Sequence, residues 1–213
     1  LANQYKVAVV GGDTTKGALS ITITALGTVP VGQAIRRDGA KVGDGIYVSG
    51  TIGDAGLGLQ LALNQYQGKT LNDEQKSYCR ARLDFPQPRI MLGTALRGVA
   101  SACLDISDGL AQDLGHILKA SQVGACIELS QLPIDAALTE LPQQKQWQYA
   151  LAGGDDYELC FTISPQNYQQ LLQKPLNTPI HIIGKINNQN RLSFEQNGVD
   201  RSLHFHGYQH FAQ

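Results

Sequence analysis

The stretch Leu104-Asp105-Ile106-Ser107-Asp108-Gly109-Leu110 decides how this chain is read. It follows a small apolar run, residues 99–103, and precedes residues whose apolar positions fall on one helical face. Leu110, Leu114, Ile117 and Leu118 form that face, so the stretch is predicted to hand a strand over to a helix N-terminus. Free backbone N–H groups and the positive end of the helix dipole collect at such a point, which favours anions. Asp105 and Asp108 could hold a divalent cation beside them. Taken alone, the stretch reads first as a plain helix cap, with Ser107 capping and Asp108 in the first turn.

Outward from this point, the chain alternates irregularly between strand-like and helix-like segments. Strands are expected over residues 45–49, 124–129, 159–163, 180–186 and 192–196. Helices are expected over residues 57–66, 72–83, 90–99, 110–118, 134–141, 147–151 and 165–173. Asn72-Asp73-Glu74-Gln75 has the form of a capping box. The Gly50-to-Gly56 turn lacks the Lys-Ser/Thr ending of a P-loop and reads first as the start of a helix. Near the N-terminus, residues 6–10 and the alternating Leu19, Ile21, Ile23 and Ala25 predict a hairpin-like strand pair around Gly11-Gly12-Asp13-Thr14-Thr15. The expected class is α+β (mixed α/β), a mixed β-sheet flanked by helices. The expected division is residues 1–30 as the last strands of a preceding domain and residues 31–213 as a C-terminal α+β domain. A chain that begins with Leu1 and is strand-like within a few residues suggests that such a domain comes before it.

Composition narrows the function classes. The 213 residues carry 17 basic and 18 acidic side chains, with no long run of one sign, which argues against a nucleic-acid surface. No apolar stretch has the length of a membrane span, and no signal peptide is recognisable. Cys79, Cys103, Cys126 and Cys160 are too widely spaced for a C-x-x-C pair, and a reducing cytoplasm is the expected setting. No Ser-His-Asp order or catalytic cysteine context can be assembled.

Three acidic turns remain: Asp13 after Gly11-Gly12, the Asp105/Asp108 pair, and Asp155/Asp156 after Gly153-Gly154. Aspartate and glycine are ordinary turn residues, so each turn alone is unremarkable. Together, with carboxylates outnumbering lysine, they favour phosphate bridged by magnesium over phosphate bound directly by lysine. Arg37 is the nearest candidate for a direct phosphate contact, set against its reading as an exposed turn residue. In the tail, Tyr208 could stack on a flat ligand, or dock the tail on the core together with Phe211. The tail histidines His204, His206 and His210 read as solvated.

Four of these segments resemble thiamine-phosphate kinase. They are Gly11-Gly12-Asp13-Thr14-Thr15-Lys16-Gly17, Asp105-Ile106-Ser107-Asp108-Gly109-Leu110, Gly153-Gly154-Asp155-Asp156-Tyr157-Glu158-Leu159 and Gly207-Tyr208-Gln209-His210-Phe211. They occur in that family's order, and Arg37-Asp38-Gly39-Ala40-Lys41 and Pro86-Gln87-Pro88-Arg89 extend the likeness along the chain. The Asp-x-Ser-Asp-Gly pattern is shared with a wider ATP-using superfamily that includes aminoimidazole ribonucleotide synthetase and selenophosphate synthetase. The resemblance implies phosphoryl transfer from ATP to thiamine monophosphate, with Mg2+ and without a dedicated catalytic base. It implies Asp13, Asp105 and Asp108 as magnesium ligands, Gly12, Asp13, Arg37 and Ser107 as ATP contacts, and Asp155 and Tyr208 as substrate contacts. Many relatives carry glutamate where this chain has Asp155. The resemblance also implies a preceding domain that supplies further aspartates and forms a homodimer, so these 213 residues by themselves are expected to be inactive. Another superfamily enzyme, or a non-catalytic nucleotide-binding or dimerising module, are the alternatives.

Overall fold

A computed structural model describes residues 2–69 and 71–203. The chain divides into two compact units, Leu1–Ala34 and Ile35–Gln213.

In the first unit, the expected strand pair over residues 6–10 and 19–25 is absent: the described residues form turns and no ladder. Leu19, Ile21 and Ile23 are 93%, 80% and 88% exposed, so the apolar alternation is present but covers nothing. Period-2 patterning marks one face of a strand. A strand also needs a neighbour for its N–H and C=O groups, and neither run pairs with the other.

In the second unit, seven strands among the described residues form one sheet. They are β1 (Gly45–Ser49), β2 (Ala102–Asp105), β3 (Gly124–Glu128), β4 (Leu159–Ile163), β5 (Ile180–Asn187), β6 (Leu192–Gln196) and β7 (Val199–Arg201). Their order is β2-β4-β1-β5-β3-β6-β7. β3 and β6 run parallel and the other described pairs are antiparallel, so the sheet is mixed, as expected. The helices are α1 (Asp54–Ala62), α2 (Asp73–Asp84), α3 (Ile90–Leu96), α4 (Leu110–Ser121), α5 (Ala136–Thr139), α6 (Gln143–Ala152) and α7 (Pro165–Leu171).

Alternation along the strands sorts the core to both faces of the sheet. Ile46, Val48, Cys160, Ile127 and Ile183 pack with Leu110, Leu114 and Ile117 of α4 and with Ala150 and Leu151 of α6. Tyr47, Phe161 and Ile163 pack on the other face with Leu92 and Leu96 of α3 and Leu171 of α7. Tyr47 stacks on both Phe161 and Tyr168, with ring centroids 5.5 and 4.9 Å away. A smaller cluster joins α1, α2 and α5 through Leu57, Leu71, Cys79, Ala137 and Leu138. The capping box at α2 forms as expected, Asn72 and Gln75 bonding reciprocally.

The topology decides where the polar turns meet. β2 and β4 are antiparallel with Asp105 opposite Leu159, so the end of β2 lies beside the beginning of β4. β1 also pairs with β4, Val48 opposite Cys160, and ends at the same edge of the sheet. The turns after β1, after β2 and before β4 therefore gather at one end.

Candidate functional site: two acidic turns zipped together

The backbone continues the β2–β4 ladder past both strand ends. Ile106 N donates to Glu158 O at 2.8 Å, Tyr157 N to Ile106 O at 2.8 Å, and Asp155 N to Ser107 O at 2.9 Å. Asp105, Ser107, Asp108 and Asp155 are thereby placed on two adjoining turns. Glycine makes this approach possible. A Cβ on Gly154, at φ +68°, would stand 2.8 Å from Ser107 O, and one on Gly109, at φ +111°, 2.8 Å from the Ala152 Cα. Both positions need the absence of a side chain and a left-handed or otherwise unusual backbone.

The cap at this turn is not the expected one. Gly109 is the N-cap of α4 and contributes no side chain. Instead Asp113, in the helix's first turn, reaches back, and its Oδ2 accepts from Ser107 N at 2.9 Å and Asp108 N at 3.0 Å. Ser107 therefore does not cap the helix. Two N–H groups of the turn that leads into α4, those of Ser107 and Asp108, are thus taken by a carboxylate of the helix itself. Burial raises the Asp113 pKa, and those two N–H bonds oppose the rise.

Asp105 is exposed and Asp108 half-buried, with Gln112 Nε2 donating to Asp108 Oδ2 at 3.1 Å. Among the described residues no group of three or more His, Cys, Asp or Glu side chains forms a metal-holding cluster. Two hard carboxylate donors nevertheless suit magnesium, which takes one or two protein carboxylates and completes its sphere with phosphate and water.

Behind the acidic turn stands a buried charge network that sequence reading missed. Glu158, 1% exposed at its side chain, takes a forked pair of bonds from Arg89, Nε to Oε2 at 2.7 Å and Nη2 to Oε1. Arg82 Nη2 reaches Glu158 Oε1 at 2.9 Å, and the Ser49 hydroxyl reaches Oε2 at 2.5 Å. Arg82 Nη2 also donates to the carbonyls of Thr51 and Asp156, at 3.2 and 3.3 Å. Asp156 accepts from Gly53 N at 2.8 Å and Ala55 N at 3.4 Å, so it fills the N-terminus of α1. The glycine-rich turn after β1 is accordingly a structural helix start. Asp54 is fully buried, bonded by the Thr51 and Tyr78 hydroxyls, with Arg82 Nε 3.5 Å from its Oδ2.

Three carboxylates (Asp54, Asp156, Glu158) face two guanidinium groups in this network. Burial raises the pKa of Asp156 to about 8, and the neighbouring Asp54 adds to that, against the Gly53 and Ala55 N–H bonds and Arg82. Asp54 is also raised by burial. A surplus buried carboxylate is relieved by holding a proton.

The remaining expected site residues are Arg37, Gly12, Asp13 and Tyr208. Arg37 is exposed in the turn before β1, next to Arg36, whose carbonyl accepts Cys103 N of β2 at 3.1 Å. Gly12 and Asp13 belong to the first unit, where Asp13 Oδ1 accepts from Thr14 N at 2.8 Å. Tyr208, with the histidine tail, lies outside the described residues. The four cysteines are free thiols, and burial pushes those of Cys79 and Cys103 up to about 12, away from thiolate chemistry.

Residues 41–197 match the family of AIR synthase related protein, C-terminal domain, and the chain belongs to that family. Within it, the chain is similar to thiamine-monophosphate kinases. The enzyme so named from Haemophilus influenzae is 49% identical over 187 residues, covering 86% of this chain and 56% of the relative. That from Escherichia coli K12 is 44% identical over 216 residues, covering 100% and 66%. The crystal structure of thiamine-monophosphate kinase from Stenotrophomonas maltophilia K279a superposes with a TM-score of 0.69 at 41% identity, over 81% of this chain and 56% of that one. AaThiL complexed with AMPPCP and TMP gives 0.67 at 29% identity, over 83% and 54%. This chain thus spans between half and two thirds of the length of the proteins it matches.

Proposed function

We propose that the protein carrying this chain transfers the γ-phosphoryl group of ATP to the phosphate of thiamine monophosphate, giving thiamine diphosphate. The observation that carries the reading is the backbone zip between residues 106–107 and 155–158, which puts Asp105, Asp108 and Asp155 on adjoining turns. Its chemical partner is the likeness to kinases so named and to a relative solved with AMPPCP and TMP.

The acceptor is already a phosphate oxyanion, so the reaction needs alignment and charge neutralisation more than a base. Asp105 and Asp108 would hold magnesium, which when bound offsets the repulsion between two anionic substrates. By the same likeness Asp13 is read as a magnesium ligand, and Gly12 and Arg37 as ATP contacts. With its N–H already committed to Asp113, Ser107 meets the nucleotide through its hydroxyl. Asp155 receives thiamine monophosphate, together with Tyr208 of the tail. A homodimer and a cytoplasmic setting belong to the same reading. Among the described residues, no helix is long and apolar enough to cross a membrane.

The test is a coupled turnover assay on the intact protein with ATP, Mg2+ and thiamine monophosphate, run beside other phosphate acceptors. Formation of thiamine diphosphate, lost on chelation of Mg2+, is the expected result. Turnover confined to a different acceptor moves the protein to another branch of the superfamily. Full activity of both Asp105→Asn and Asp108→Asn leaves the opening motif a structural turn only.

A further inference from the structure

Residues 154–158 alternate between inside and outside. Gly154, Asp156 and Glu158 are buried, whereas Asp155 is half-buried and Tyr157 is 41% exposed. The inward side chains anchor the turn through Gly53, Ala55, Arg82, Arg89 and Ser49. The outward pair, Asp155 and Tyr157, is left at the rim.

Tyr157 has no structural duty that needs a ring. Its N–H bonds Ile106 O, but any residue except proline supplies that bond. The ring belongs to none of the hydrophobic clusters of the described core. Its backbone is left-handed, at φ 50°, as is that of Asp155 at φ 59°. Bulky side chains rarely adopt this conformation, and glycine or asparagine would fit it with less strain. A strained position filled by an exposed aromatic is a position that uses the aromatic.

The surroundings define what the ring can receive. The Tyr157 hydroxyl is 3.5 Å from Asp155 Oδ1. The Asp155 charge adds to the rise that burial causes in the phenol pKa, so this carboxylate stands beside the ring. A π-face attracts cations through its quadrupole, and the neighbouring Asp155 carboxylate acts in the same sense. A flat cation is favoured twice over, while a neutral ring gains only the stacking part.

We propose that Tyr157 is a substrate-contacting specificity residue: its ring, with the Asp155 carboxylate beside it, receives the positively charged heterocycle of the phosphate acceptor. The inference rests on the kinase reading above and adds to it a residue that separates cationic from neutral acceptors.

Three variants of the intact protein test it: Tyr157→Phe, Tyr157→Leu and Tyr157→Ala. KM is measured separately for thiamine monophosphate and for ATP, and calorimetry measures binding of thiamine monophosphate without turnover. The Leu and Ala variants are expected to raise the KM and Kd for thiamine monophosphate about tenfold, with the KM for ATP within twofold of wild type. The Phe variant keeps the ring and is expected to stay within about threefold. Wild type is expected to prefer thiamine over an analogue with an uncharged ring as inhibitor, and the Leu variant to show a smaller preference, since Asp155 remains. Wild-type affinity in Tyr157→Leu, an equal rise in both KM values, or an unchanged preference for charge overturns the proposal. If wild type binds thiamine monophosphate but does not phosphorylate it, the kinase reading fails while calorimetry still decides on Tyr157. If wild type does not bind it at all, both fall.

Discussion

Arg89 and Glu158 meet as a fork, Nε to Oε2 at 2.7 Å and Nη2 to Oε1, around a carboxylate whose side chain is 1% exposed. The pair joins the start of α3 to the beginning of β4 and so fixes the base of the acidic turn. A buried ion pair gives little net stability relative to an apolar replacement, but losing one partner strands the other. Arg89→Ala and Glu158→Ala should each cost about 3–5 kcal/mol. Urea denaturation should show this, and the joint replacement Arg89→Met with Glu158→Leu should cost less than the two single changes added together, with Arg82 still deprived of Glu158. A cost for Arg89→Ala no larger than that of an exposed pair such as Arg80–Asp84 would contradict the buried-fork account.

Two glycines with nearly the same backbone separate strain from collision. Gly98 has φ +69° and nothing within 4 Å of where a Cβ would stand. Gly154 has φ +68° and Ser107 O at 2.8 Å from that point. Gly98→Ala should therefore cost only the left-handed penalty, about 1 kcal/mol. Gly154→Ala should cost about 1–3 kcal/mol more and reduce turnover, because the two acidic turns must separate. Thermal melts and steady-state rates of the two variants give the comparison directly. Equal effects would mean that the zip tolerates the extra methyl group.

The network around Arg82 predicts a pH dependence of known sign. Asp156 faces Gly53, Ala55, Asp54 and Arg82, and its pKa is raised to about 8 from the ordinary 3.8. The native state therefore keeps a proton that the unfolded chain releases. Stability from this group is complete below pH 3.8, declines as pH rises, and is gone above about 8. The slope for one proton is at most about 1.4 kcal/mol per pH unit. Asp156→Asn removes this titration, at a constant cost from pairing an amide with two N–H donors. The Tm of the variant minus that of wild type should thus rise from pH 5 to pH 8 and then level. A difference that stays flat would mean that Asp156 does not hold the extra proton.

Much of the second unit is legible one element at a time. The Leu110-Leu114-Ile117-Leu118 stripe forms the buried face of α4, and the capping box at Asn72 forms at α2. Pairing is not legible locally. Nothing within residues 104–110 says that residues 153–158 will lie alongside them, since the β2–β4 register joins segments more than fifty residues apart in the chain. The buried arginines left a faint trace: Cys79 and Arg82 are the buried positions of an otherwise polar α2, spaced three apart. The same gap between pattern and partner explains the first unit. Leu19, Ile21 and Ile23 alternate as a strand would, but alternation encodes a face and does not supply the neighbouring backbone.

The reach-back cap separates stability from chemistry within one turn. Asp113 is 4% exposed and holds two backbone N–H groups, whereas Asp105 is exposed at the strand end. Asp113→Ala removes the acceptor from Ser107 N and Asp108 N, and should cost about 1–2 kcal/mol, as the loss of a good N-cap does. Asp105→Asn removes a charge that no protein donor in the network depends on, and should leave the Tm within about 1 °C on the scale of ordinary surface substitutions. On activity the order reverses. In the kinase reading, Asp105→Asn should lower kcat by roughly 100-fold or more, as removal of a group that stabilises transition-state charge does, and excess Mg2+ should restore part of it. Asp113→Ala should lower kcat less once the assay temperature is well below its Tm. If instead Asp113→Ala were the slower variant with its fold intact, the shape of the Ser107–Asp108 turn that Asp113 holds would outrank the Asp105 carboxylate.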